Sequence, residues 1–291
     1  MAEITEEHKV PKQIAPIRLQ EYGVGIFYAL PTKSGLKKAL KKEYIRVNGV
    51  IASTATFIKG GEIIELNIPV ATTPQKQLIF KLKVLFEDEY LALVHKPAGI
   101  LVSGNSFYTI ANALSQNLKL STQSDATKPQ PVHRLDYATT GVLLVGKTSK
   151  AIRALNKLFE DKAIQKTYYA IAIGEMDKEG VLNEPIDGKK ASSVYKVVQT
   201  ADSPRFNKLN LVQLEPQTGR RHQLRKHLFG IGHPILGDKE YFLKGLVLNG
   251  KGVYLHACGL KFIHPITNEA MEIKDPLPKK FLKIFPDSEV I

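Results

Sequence analysis

The sequence predicts an α+β protein made of a small basic unit followed by a larger mixed one. Three observations carry this. Strand-like and helix-like segments mingle along 291 residues without the βαβ rhythm of a doubly wound sheet. The first 75 residues hold a hairpin signal and a lysine-rich helix of their own. PVATTPQKQ, Pro69 to Gln77, interrupts the pattern with two prolines among small polar residues and reads as a linker. The units so divided are residues 1–75 and 76–291.

Taken in order, residues 1 to about 15 are polar and without a period, and read as loose. In PTKSGLKKALKK, Ser34 is placed to cap a helix starting near Gly35, with Leu36, Ala39 and Leu40 at helical spacing. Lys33, Lys37, Lys38, Lys41, Lys42 and Arg46 stand there against Glu43 alone. IRVNGVI gives two short strands across an Asn48-Gly49 turn. Gly60-Gly61 turns again, into the strand EIIELNI.

The larger unit opens with VLFEDEYLALVHKPAGI, two strands broken at Glu87–Glu89 and ended by Pro97-Ala98-Gly99. SFYTIANALSQNL is a helix capped by Ser106 or Thr109. VLLV is a buried strand. Ser149 then caps a helix with Ile152, Leu155, Leu158 and Phe159 on one face. KTYYAIAIG alternates as a strand, with Tyr169, Ile171 and Ile173 on one side and Tyr168, Ala170 and Ala172 on the other. Thr218-Gly219 turns into a short helix closed by Gly230.

Hydrophobic residues at 43% and charged residues at 24% fit a folded chain rather than a disordered one. No apolar run approaches the roughly 20 residues of a membrane helix, and the acidic, polar N-terminus is not a secretory signal. A cytoplasmic location is expected. The single cysteine, Cys258, excludes an internal disulfide and reads as a buried thiol. The net charge of +13 calls for a phosphate-rich partner, nucleic acid first and anionic lipid second.

One motif is a decoy. GVLLVGKT, Gly141 to Thr148, satisfies the spacing of a phosphate-binding loop. Val142 and Val145 resist the left-handed backbone such a loop needs, and Tyr137–Thr140 does not read as the strand that should precede it. A nucleotide-hydrolysing function is the poorer reading.

PVHRLDYATTG places His133, Arg134 and Asp136 within four positions, followed by small residues that leave Asp136 uncrowded. Taken locally, a structural Asp–Arg pair is the better reading. Tyr168 beside two alanines leaves room for a flat ligand, though taken alone a core aromatic is the better reading. In TGRRHQLRKHLFGIGHPILGD, Arg221 and Arg225 lie four apart, with Leu224 and Leu228 toward the core. An arginine so close to a core wants a carboxylate or phosphate. His222, His227 and His233 lack a metal-ligand spacing, and no metal is assigned.

Together, HRLDYATTG, KTYYA and GRRHQLRKHLFGIGHPILGD resemble the RluA family of pseudouridine synthases. FEDEYLALVHKPAGILV, LHACGLKFIHP and DPLP add ordered matches, so the resemblance spans about Leu78 to Leu282. Thr140 stands where the family usually has Ser. The first unit resembles the alpha-L RNA-binding domain of small-subunit ribosomal proteins, with Lys33-Ser34-Gly35 and Glu43-Tyr44 departing from the usual pattern.

The resemblance implies a pseudouridine synthase fold with a central, mostly antiparallel mixed sheet and an RNA-binding cleft. It implies isomerisation of uridine in structured RNA, ribosomal RNA favoured over transfer RNA, with no cofactor and no metal. Asp136 would be the catalytic carboxylate, attacking ribose carbon 1 or taking a proton from carbon 2. The residues leave both routes open. Arg225 matches the family's partner of that Asp. Tyr168 matches the tyrosine at the uracil ring, and Arg134 the arginine that fills the gap left by the flipped base. His133, Thr140, Arg221 and His222 are expected on the substrate, and Lys37, Lys38 and Lys41 on its phosphates. A protein that binds RNA on this scaffold without turnover is the competing class.

Overall fold

The computed structural model describes residues 3–12, 15–69 and 78–288. Apart from Pro69, the expected linker lies outside the described residues, as does the 75/76 division. The N-terminal unit runs β1 (Glu3–Lys9), β2 (Ile17–Arg18), α1 (Leu19–Tyr22), α2 (Lys33–Lys41), β3 (Ile45–Val47), β4 (Val50–Ile51), β5 (Phe57–Ile58) and β6 (Ile63–Pro69). Asn48 and Gly49 both take positive φ, 49° and 76°, which closes the β3–β4 hairpin. The sheet order is β1-β6-β3-β4. Leu36, Ala39 and Leu40 of α2 pack with Ile45, Ile64 and Leu66 into a core of this unit's own.

Two expectations fail here. The segment read as loose contains β1, a seven-residue strand laddered along β6. Its side chains are mostly polar, so its pairing is a main-chain matter that hydrophobic periodicity does not show. Thr32, not Ser34, caps α2, its hydroxyl accepting from Gly35 N–H at 3.1 Å.

The large unit runs β7 (Lys83–Glu87), β8 (Leu91–Lys96), α3 (Ile110–Ala113), β9 (Ala126–Pro131), β10 (Thr140–Thr148), α4 (Ser149–Glu160), β11 (Gln165–Ile173), β12 (Glu179–Leu182), β13 (Ser193–Ser203), β14 (Asn207–Pro216), α5 (Gln223–Gly230), β15 (Leu255–Ile263), β16 (Ala270–Lys274) and α6 (Lys279–Leu282). Its ten-stranded sheet has the order β12-β13-β14-β11-β15-β10-β8-β7, with β16 beside β15 and β9 beside β10. Every pairing is antiparallel except β10–β15. That parallel contact explains Gly141. A Cβ there would sit 2.1 Å from the Ala257 carbonyl oxygen, and φ is +121°. GVLLVGKT is therefore a sheet strand, and Lys147 lies buried, paired to Glu87 at 2.7 Å.

Thr109 caps α3. Thr148 rather than Ser149 caps α4, accepting from Ala151 N–H at 3.2 Å. The Ser149 hydroxyl is engaged elsewhere: it donates to the Tyr28 carbonyl of the N-terminal unit at 2.6 Å. Arg153, one turn along α4, donates to the Gly25 carbonyl at 3.1 Å. The two units are thus tied through one face of α4. Cys258 is buried, and burial pushes its thiol up to about 12.

Candidate active site

Asp136 lies in the loop between β9 and β10. Several bonds fix that loop. Leu135 is buried among Val102, Ile110 and Leu143. Thr139 N–H donates to the Asp136 carbonyl at 3.1 Å, and Gly99 N–H donates to the Tyr137 carbonyl at 2.9 Å. Lys96, with no exposed surface, donates to the carbonyls of Pro97, Tyr137 and Thr139 at 2.9, 3.3 and 2.8 Å. Burial pulls the Lys96 ammonium down to about 8, and the charge of Asp136 opposes that pull.

The loop forms one wall of a cleft of about 1090 Å³. His133, Arg134, Asp136 and Thr139 line it from this side, Lys166 and Tyr168 from β11, Thr218–Arg221 from the segment before α5, and Gln223 from the start of α5. Six cations and three carboxylates border it, so its field suits a polyanion. Tyr168 packs between two cores. Burial first, then the nearby charge of Asp136, holds the Tyr168 phenol well above its ordinary range. The hydroxyl therefore keeps its proton.

Gln223 builds the opposite wall and escaped the sequence reading. Its amide donates to Ser192 O and Ser193 Oγ at 2.8 and 2.9 Å, while its carbonyl accepts from Thr218 Oγ1 at 2.6 Å and Arg220 N–H at 3.0 Å. A buried amide using donors and acceptor together shapes the whole TGRR turn.

Several expected roles change. Arg225 is 6% exposed and forks onto Asp238, with Nε and Nη2 at 2.6 and 2.8 Å, and reaches Glu240 at 3.1 Å. Its direct bonds go to these two acids rather than to Asp136, on which it acts only through its field. Burial alone would raise the Asp238 carboxyl. The bonds from Arg225 and from the Glu240 and Tyr241 N–H groups outweigh it and hold the group below its usual value. The ionisable nitrogen nearest Asp136 is His222 Nε2, 3.8 Å from Oδ1. The His222 Nδ1 faces Tyr241 Oη at 3.0 Å and Glu240 Oε1 at 3.3 Å, from a backbone at φ 56°. His222 thus addresses the carboxylate, where a substrate contact was expected.

His133 belongs to the wall. Its Nε2 accepts from Leu144 N–H at 2.9 Å and its ring stacks on Phe159. Burial and the charge of Lys166 push its pKa down to about 3, so the ring is neutral. Thr140 faces away from the cleft. Strand pleating sends its side chain to a smaller hollow with His95 and Asp275, where its hydroxyl meets His256 Nδ1 at 2.8 Å. Thr139 takes the cleft position instead. Arg134 and Arg221 are exposed on the cleft rim, and Lys37, Lys38 and Lys41 on the outer face of α2. His227 meets Ser193 Oγ and Glu184 O, and His233 meets Ile173 O. Among the described residues no group of three or more His, Cys, Asp or Glu could hold a metal ion.

A family model described as RNA pseudouridylate synthase matches residues 90–229. Ribosomal large subunit pseudouridine synthase D of Nitrosomonas europaea is 30% identical, covering 95% of this chain and 86% of that protein. The chain belongs to the RluA family of RNA pseudouridine synthases. Ribosomal large subunit pseudouridine synthase C of Pasteurella multocida is also 30% identical, over 92% of this chain and 89% of its own. Among solved structures, human RNA pseudouridylate synthase domain containing 4 superposes with a TM-score of 0.57 at 25% identity, over 70% of this chain and 92% of that one. The synthase is an isomerase that converts uridine to pseudouridine in RNA. No helix among its described residues is long and apolar enough to cross a membrane.

Proposed function

We propose that this synthase isomerises a uridine of ribosomal RNA in the cytoplasm, with Asp136 as the reacting carboxylate. The observation that carries the reading is that Asp136 and Tyr168 face one cation-bordered cleft. The base leaves its stack at a cost of roughly a few kcal/mol and enters the cleft. The bond from ribose carbon 1 to N1 breaks, the base turns, and a bond to carbon 5 forms. The carbon-5 proton leaves, and N1 gains one. Asp136 acts at carbon 1 as nucleophile or at carbon 2 as base. Tyr168, protonated, offers the uracil its face and a donor hydroxyl. Arg134, exposed beside Asp136, is free to fill the space the base vacates. Arg225 sets the wall through Asp238, and His222 Nε2 stands beside the Asp136 carboxylate at 3.8 Å.

Residues 1–75 and 76–291 are the two working units. The first holds RNA by Lys37, Lys38 and Lys41. The relatives named for the large ribosomal subunit favour ribosomal over transfer RNA. Pseudouridine maps of total RNA with and without the gene test that choice; a lost site confined to transfer RNA would overturn it. For the chemistry, Asp136→Asn should abolish pseudouridine formation and leave RNA binding largely intact, since charge and nucleophilicity go while shape stays. Carbodiimide mapping of RNA treated with the pure variant reads this directly. A near wild-type rate removes Asp136 from the reaction.

A further inference from the structure

Tyr137 follows Asp136 directly, and the residue is 58% exposed. A lone exposed aromatic is ordinary. What sets this one apart is its stem. The Tyr137 carbonyl accepts from Gly99 N–H and from the buried Lys96, and Lys96 also grips Thr139 two residues on. The ring reaches back over the Pro97-Ala98-Gly99 turn: its hydroxyl lies 3.9 Å from where a Cβ on Gly99 would be. The molecule thus holds a flat aromatic on a rigid backbone, one residue from the carboxylate, and leaves it to solvent.

We propose that Tyr137 is a substrate-positioning residue: a stacking platform for the nucleotide adjoining the target uridine. This rests on the reading of Asp136 as the reacting carboxylate. When the uridine leaves its stack, its neighbour loses a stacking partner and bares a π-face. That neighbour is one phosphodiester away from the uridine at Asp136, as Tyr137 is one residue away from Asp136. An aromatic side chain accepts any base by its face, so the platform fixes position without reading sequence. It also differs in kind from the cation-bordered cleft, which holds phosphates.

The test uses the full chain and a hairpin RNA around the uridine that the wild-type protein modifies. 2-Aminopurine replaces the nucleotide on each side of that uridine in turn. In the Asp136→Asn background, binding should change the emission at one flank. Adding Tyr137→Phe should keep that change and adding Tyr137→Ala should remove it. In the active chain, Tyr137→Ala should raise KM roughly tenfold at nearly unchanged kcat, with no shift in the thermal midpoint. Emission at both flanks that ignores Tyr137→Ala, with unchanged KM, overturns the platform. So does a lowered midpoint that alone accounts for the loss, since the ring would then be structural. Either result leaves the Asp136 reading standing, because that reading fails only if Asp136→Asn remains active.

Discussion

The basic helix of the N-terminal unit and the wall of the cleft hold charge in opposite ways. On α2, Lys37, Lys38 and Lys41 stand in solvent and pair with nothing among the described residues. Behind the cleft's walls, Arg225 is forked onto a buried Asp238 and Lys96 grips three carbonyls. Solvated charge is screened and interchangeable, so it contributes affinity. Buried charge is bound to particular atoms, so it contributes geometry. The same residue types therefore do different work, and substitution separates the two kinds.

The largest effect should come from Arg225. Arg225→Met leaves Asp238 as an uncompensated buried carboxylate, a loss of about 3–5 kcal/mol. Adding Asp238→Asn should recover part of it, because the Glu240 and Tyr241 N–H groups keep an acceptor. Denaturant unfolding of the two variants measures this. Equal stability of wild type and Arg225→Met would dissolve the contrast, since the pair would then behave like a surface charge.

The effect next in size concerns pH. His133 is neutral when folded, with its pKa pushed down to about 3, while the unfolded imidazole takes a proton near 6.5. Below about 6.5 the unfolded chain binds more protons, so stability falls as pH drops toward 3. This contribution is complete above 6.5 and declines by at most about 1.4 kcal/mol per pH unit. His227 and His256 are also depressed by burial and add to the same slope. The comparison must therefore be with His133→Asn, which should be less stable at pH 7.5 yet lose less between pH 6.5 and 4. Parallel thermal midpoints for both proteins over that range would mean that His133 is solvated.

The contrast also explains what the sequence could show. Asn48-Gly49 was legible because a two-residue hairpin turn needs positive φ twice in succession. The buried β10 was legible from VLLV, whereas Asp136 and Tyr168 stood out only through the resemblance, since read locally they pass for a structural pair and a core aromatic. Long-range choices were not. Ser149 reads as a cap until Tyr28, far off in the chain, claims its hydroxyl. Arg225 visibly needed an acid, but nothing local names Asp238 over Asp136. Thr139 and Thr140 look equivalent until strand pleating sends them to opposite sides. Lys96 looks like a surface lysine at a strand end, and only the folded loop supplies its three carbonyls.

The smallest effect on stability belongs to α2, and it decides whether that helix serves RNA at all. Deleting residues 1–75 is a poor test. It would strip Ser149 and Arg153 of the Tyr28 and Gly25 carbonyls and so disturb α4, whose last turn borders the cleft. Replacing Lys37, Lys38 and Lys41 together by Ala avoids that. Their side chains point to solvent and alanine is the best helix former, so unfolding free energy should stay within about 0.5 kcal/mol. RNA affinity should fall and its salt dependence flatten. Each lost phosphate contact lowers the log–log slope by roughly 0.7–0.9, so three contacts lower it by about 2–3. Turnover at saturating RNA should not change, because none of these lysines lines the cleft. A slope equal to that of the wild type would make α2 an ordinary solvated face, and the affinity of the enzyme would then reside in the cleft rim around Arg134 and Arg221.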